Sequence, residues 1–163
     1  MTLKLIKAHR KEAEKILALF QPIFRPYLAK YHDDEINPAN LPIERIESWF
    51  DKPHVTCYFI ANEKQTLGFI QLVHLTEEFE GQDQIHIGNF GILPEFQNQG
   101  LGQACLRELE KIYQPKGGWL LSTILQEAGN RHLYEKFGYR RAGKLTVIND
   151  KMTIIEYEKG GSE

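Results

Sequence analysis

The segment Gln97-Asn98-Gln99-Gly100-Leu101-Gly102-Gln103 follows an apolar run ending at Pro94 and opens a stretch with helical spacing. A chain passing from strand to helix leaves its first backbone amides without intrahelical partners. Those N–H groups, together with the positive end of the helix dipole, attract phosphate or carboxylate. Gly100 and Gly102 carry no side chain where a diphosphate must come close to the backbone. The pattern is short, so a glycine-rich turn without any ligand is the competing reading. It lacks the Gly-Lys-Ser/Thr ending of a nucleotide phosphate loop, and Cys105 stands where a dinucleotide fingerprint needs its third glycine.

A second segment, Asn130-Arg131-His132-Leu133-Tyr134-Glu135-Lys136-Phe137-Gly138-Tyr139, places a phenol on a short helix. Spacing alone also fits Tyr134 as a core residue beside Leu133 and Phe137. With Phe90-Gly91-Ile92-Leu93-Pro94-Glu95-Phe96 leading into the glycine loop, the two segments resemble the GNAT superfamily of acyl-CoA-dependent N-acetyltransferases, in content and in order. The resemblance implies that the backbone of Phe90, Gly91 and Ile92 pairs with the pantetheine arm of acetyl-CoA and polarises the thioester carbonyl. It also implies that Gln97, Asn98, Gln99, Gly100, Leu101, Gly102 and Gln103 wrap the pyrophosphate. Tyr134 matches the tyrosine that lies beside the sulfur and protonates it. Family members often carry Asn seven positions before that tyrosine, where this chain has Glu127; Asn130 is the nearby amide assigned a cofactor contact.

The chemistry fits these residue types. A neutral amine attacks a thioester, and backbone N–H groups can stabilise the charge that develops on the carbonyl oxygen. A phenol of reference pKa about 10 can protonate a thiolate of about 8.5. A base must free the amine of a proton. His86, on the strand entering the cofactor motif, is the catalytic candidate, with His74 and Glu77 as competitors and a structural histidine as the bland alternative. Tyr27 and Tyr31, with Asp33, Asp34 and Glu35, are candidates to bind a cationic acceptor; a solvated acidic loop is the alternative. No metal site is expected, since His54-x-x-Cys57 is isolated.

Periodicity supplies the elements that would position these groups. Alternation marks a strand at Leu3–Ala8, and 55–61, 67–75 and 85–93 read as a meander of strands, the last interrupted by Gly88 and Gly91, which mark a bulge or close backbone approach by a ligand. Residues 119–125 read as a strand covered on both faces, and 139–148 with 152–157 as a closing hairpin. Helical spacing covers 12–20, stopped by Pro22 and Pro26, then about 42–50 and 100–113, the last with Leu101, Cys105, Leu109 and Ile112 inward. Residues 130–137 form a helix capped by Asn130, and 25–40 look irregular.

The expected fold is α/β: one GNAT-like mixed, mostly antiparallel sheet of six to seven strands with about four helices. Its two central parallel strands, 85–93 and 119–125, should splay apart. Residues 1–163 are read as one domain, with a cofactor motif at about 85–114, a second motif at 119–139 and an acceptor-side segment at 21–50.

Net charge is −2 with no basic run, which argues against a nucleic-acid partner, and no apolar run is long enough to span a membrane. Two isolated cysteines suit a reduced cytoplasmic compartment. The closing strands offer an edge for a homodimer. The expected activity is transfer of an acetyl group from acetyl-CoA to a primary amine of a small molecule or peptide, by direct attack in a ternary complex. The alternative is a catalytically idle acyl-CoA-binding sensor.

Overall fold

In the computed structural model, which describes residues 2–76 and 83–160, seven strands form one sheet. The strands are β1 (Lys4–Lys7), β2 (Val55–Ala61), β3 (Thr66–Leu75), β4 (Gln84–Ile92), β5 (Trp119–Ile124), β6 (Arg140–Val147) and β7 (Thr153–Lys159), ordered β1-β2-β3-β4-β5-β7-β6. All neighbours are antiparallel except β4 and β5. The helices are α1 (Ala13–Phe24), α2 (Pro26–Tyr31), α3 (Ile43–Trp49), α4 (Leu101–Ile112) and α5 (Ala128–Lys136). No helix among the described residues is long and apolar enough to cross a membrane.

Alternation along the strands separates two cores. On one face, Ile70, Leu72, Ile85 and Ile87 pack with Leu101, Cys105, Leu106 and Leu109 of α4. On the other, Cys57, Phe59 and Phe69 meet Ile16 and Phe20 of α1 and Ile46 and Trp49 of α3. Phe20 is fully buried, with its ring centroid 5.2 Å from those of Phe24 and Phe69. Phe20→Ala should therefore cost about 3–5 kcal/mol in denaturant unfolding.

Several expectations need correction. Pro22 lies inside α1, and Pro26 starts α2 at its first turn rather than closing the preceding helix. One intrahelical bond is lost at Pro22, but continuing the helix buries Ile23 and packs Phe24 on the core. The segment 25–40 holds α2 and a 3-10 turn at Pro38–Asn40, whose entry is capped by Asn37 accepting from the Ala39 amide at 2.8 Å. Helix α5 begins two residues before Asn130, with Glu127 at its N-cap. Ile112 is 51% exposed at the overhanging end of α4, and Leu106 completes the buried stripe instead. Strand β5 is covered throughout on one face, by burial of Trp119, Leu121 and Thr123; on the other Ile124 is buried, Leu120 is half-buried and Ser122 is exposed.

Both cysteines are free and buried, and burial pushes the Cys57 thiol up to about 12. The Cys105 thiol is raised for the same reason, with Glu108 adding to it. At pH 8 the Cys57 thiol stays protonated. A disulfide-exchange reagent should therefore leave the native protein unmodified and titrate two thiols after unfolding.

Candidate active site

Two irregularities in β4 make the site. Opposite Gln71 of β3 the strand carries two residues, Gly88 and Asn89, so the register shifts between Ile70↔Phe90 and Leu72↔Ile87. This is a β-bulge. Gln71, 6% exposed, fills it: its side-chain oxygen accepts from the Asn89 amide at 3.3 Å and from Asn89 Nδ2 at 2.9 Å. Beyond the bulge, β4 leaves β5. Parallel pairing covers only Ile85↔Trp119, His86↔Leu120 and Ile87↔Leu121, while β5 continues alongside β7 to Ile124.

The gap is a cavity of about 530 Å³. It passes through the sheet. Phe90, Ile92, Leu133 and Tyr134 line it on the α4 and α5 side, and Ile23, Phe24 and Tyr27 line it from α1 and α2. Gly91 allows the close approach to α1, since a Cβ there would stand 2.3 Å from Ile23 Cγ2.

Backbone groups line the gap as well. The Leu93 amide donates to Leu67 at 2.8 Å, which makes Leu67–Leu93 a hydrogen-bonded pair. Hydrogen-bonded and non-bonded pairs alternate along an antiparallel ladder. Ile92↔Gly68 and Phe90↔Ile70 are therefore non-bonded pairs, and the N–H groups of Phe90 and Ile92 point away from β3 into the opening.

At the α4 end, Asn98 (φ 62°) and Gly100 (φ 77°) adopt the left-handed conformation, and Gly100 is the N-cap of the helix. The first amide of this turn with a backbone partner is that of Ala104, which donates to Gly100 at 3.0 Å. The amides of Asn98 through Gln103 have none, and Gln97, Asn98, Gly100, Leu101 and Gly102 line the cavity. A Cβ added at Gly100 would meet nothing within 4 Å. A turn of unpaired amides at a twelve-residue helix, with open space before it, fits a diphosphate. Residues 97–106 contain no Lys or Arg, so this cradle is built of dipoles rather than cationic side chains. Gln99 donates instead to Glu95 at 3.4 Å, and neither Gln99 nor Gln103 has a side chain on the cavity wall.

Tyr134 lies on the wall of α5, its ring 6.0 Å from Tyr139 and 6.4 Å from Tyr157. Burial raises its pKa well above 10, with smaller contributions from Tyr27 and Cys105. The hydroxyl is thus protonated at neutral pH and able to donate. Asn130 and Tyr27 face the same space; burial chiefly raises the Tyr27 pKa, and Asn130 opposes that shift.

A GNAT acetyltransferase family model matches residues 13–139. The chain belongs to that family. No curated protein matches it. Among solved structures of the same fold, a spermidine N-acetyltransferase from Vibrio cholerae in complex with CoA and spermine superposes with a TM-score of 0.72 at 18% identity, covering 96% of this chain and 94% of that one. The ribosomal-protein-S18-alanine N-acetyltransferase from Escherichia coli gives 0.71 at 16% identity, covering 99% and 96%.

Within this GNAT fold the residues singled out by sequence divide into two groups. Tyr134, Phe90, Gly91, Ile92, Asn130, Tyr27 and most of the glycine loop share one cavity. His86 does not line it. Ile85 and Ile87 point toward α4, so His86 between them points to the opposite face, where burial lowers its pKa and Glu156 opposes that shift. His74 is bonded to Thr56 at 3.0 Å on the far side of β3, and Glu77 lies outside the described residues. Tyr31 sits behind the wall, buried with Ile124 and Met152, its hydroxyl donating to Glu127. Sequence reasoning overlooked Phe24, Ser122 and Met152 as wall residues, because their local pattern is that of ordinary core and strand positions.

Proposed function

We propose that this GNAT enzyme transfers the acetyl group of acetyl-CoA to a primary amine by direct attack within a ternary complex. One observation carries the reading: unpaired amides, outward-facing β4 N–H groups and a protonated phenol share a single opening through the sheet. The turn at residues 98–103 holds the diphosphate through backbone dipoles. The Phe90 and Ile92 amides receive the negative charge that develops on the carbonyl oxygen, a role in which one donor is worth about 3–4 kcal/mol. Tyr134 donates its proton to the departing sulfur. His86, neutral at physiological pH through its lowered pKa, takes the amine's proton by way of water.

Neither cysteine lines the cavity and both thiols are raised by burial, which supports direct attack over an acyl-enzyme. The same two free thiols favour a reducing cytoplasmic setting. Initial rates of CoA release, measured against acetyl-CoA at several amine concentrations, should give intersecting reciprocal lines. Parallel lines would exclude the ternary complex.

A further inference from the structure

The only charged side chains lining the cavity, among the described residues, are Asp33 and Glu127. Glu127 stands seven residues before Tyr134 with Asn130 between them, so the three occupy nearly one face of α5. Glu127 and Tyr134 are thus about 10 Å apart along the helix axis, on the same wall. Lys30 Nζ, at 2.5 Å, and the Tyr31 hydroxyl both donate to Glu127 Oε2. Oε1 receives no hydrogen bond from the described residues. No buried side-chain polar atom among the described residues lacks a partner, so Oε1 is open rather than buried. Its side chain is only 19% exposed, whereas Lys30 is 59% exposed. The carboxylate faces the cavity while its balancing cation stands in water. Asp33, 4% exposed, is fixed by Asn37 Nδ2 at 3.3 and 3.2 Å from its two oxygens. Both carboxylates line the same cavity as Tyr27.

We propose that Glu127 selects the acceptor by charge, its free oxygen pairing with one ammonium group of an aliphatic diamine or polyamine. The other amine, deprotonated, faces the thioester beside Tyr134. A chain of equal length ending in a carboxylate meets two negative groups and, among the described residues lining the cavity, no cation, and is rejected. This selection rests on the transferase reading above. A charged hydrogen bond in a half-buried wall corresponds to roughly 10- to 100-fold in binding.

The test compares acetylation of 1,5-diaminopentane with that of 5-aminopentanoate by the intact protein, its fold checked by thermal melting and its acetyl-CoA binding by calorimetry. The diamine should have roughly 10-fold or greater advantage in kcat/KM. Glu127→Gln should remove most of that advantage through KM. Lys30→Met, which strips the balancing cation, should increase it. Opposite signs distinguish charge selection from bracing of α2, because a brace would be weakened by both substitutions alike. Asp33→Asn, with the sign of Glu127→Gln, serves if that variant does not fold. Equal rates for the two amines, a ratio untouched by Glu127→Gln, or parallel losses in both variants would overturn the proposal and leave the transferase reading intact. Acetyl-CoA binding with neither amine acetylated would also overturn it. Failure to bind acetyl-CoA at all would sink both.

Discussion

Tyr134→Phe should lower kcat by roughly a hundredfold or more while leaving the affinity for CoA unchanged. The ring has to remain for packing, since it meets Tyr139 and Tyr157 at 6.0 and 6.4 Å, and phenylalanine keeps those contacts. What is removed is the proton. Among the described residues, the only other phenol lining the cavity is Tyr27, which stands on the wall formed by α1 and α2. The pH dependence follows from the direction of the shift. Burial raises the phenol, so its proton-donating form is present below the raised pKa and disappears only as pH climbs through it. Turnover should therefore show no alkaline loss from this group up to about pH 10, its reference value. Single-turnover thiol release by the Phe variant, alongside a CoA titration, decides the matter; full turnover would remove Tyr134 from the mechanism.

Gly100→Asp should reduce acetyl-CoA affinity by roughly a hundredfold at low salt and yet leave the melting temperature nearly unchanged. Glycine is required here by φ 77°, but Asp tolerates the left-handed region better than most residues. An N-cap Asp also interacts favourably with the helix dipole, which offsets part of the strain. Nothing lies within 4 Å of the new Cβ, so the fold accommodates it. The same position puts a carboxylate where the diphosphate is expected, against a cradle that has no cationic side chain of its own. Calorimetry and melting then give separate answers. Unimpaired CoA binding by a folded variant would move the diphosphate away from this turn.

The parts of the molecule legible in the sequence are those governed by local physics. Strands β2 to β4 follow from their strand-like runs between turns, β5 from its apolar run, the α4 cradle from glycines at a strand-to-helix turn, and an irregularity in β4 from Gly88. Misreadings arose where distant contacts outweighed a local signal. Pro22 looks like a stop, but burial of Ile23 by the sheet carries α1 past it. Asn130 looks like a cap, but it lines the cavity and the helix starts earlier. Strand β5 is largely apolar, yet Ser122, beyond the last residue paired with β4, lines the cavity and is exposed. The acceptor wall was legible only as residue types. Its geometry depends on α2 meeting α5 across nearly a hundred residues of chain, through Lys30 and Tyr31 to Glu127. Glu127 itself was visible as a departure from the family pattern, without any indication of which way it faced.

The cavity is lined from both faces of the sheet, by α4 and α5 on one and by α1 and α2 on the other. Under the proposed function the nucleotide would arrive from the α4 side and the amine from the α2 side, so neither would obstruct the other. Spent thiol and acylated amine would then need no queue, and either product could be exchanged while its neighbour stayed in place.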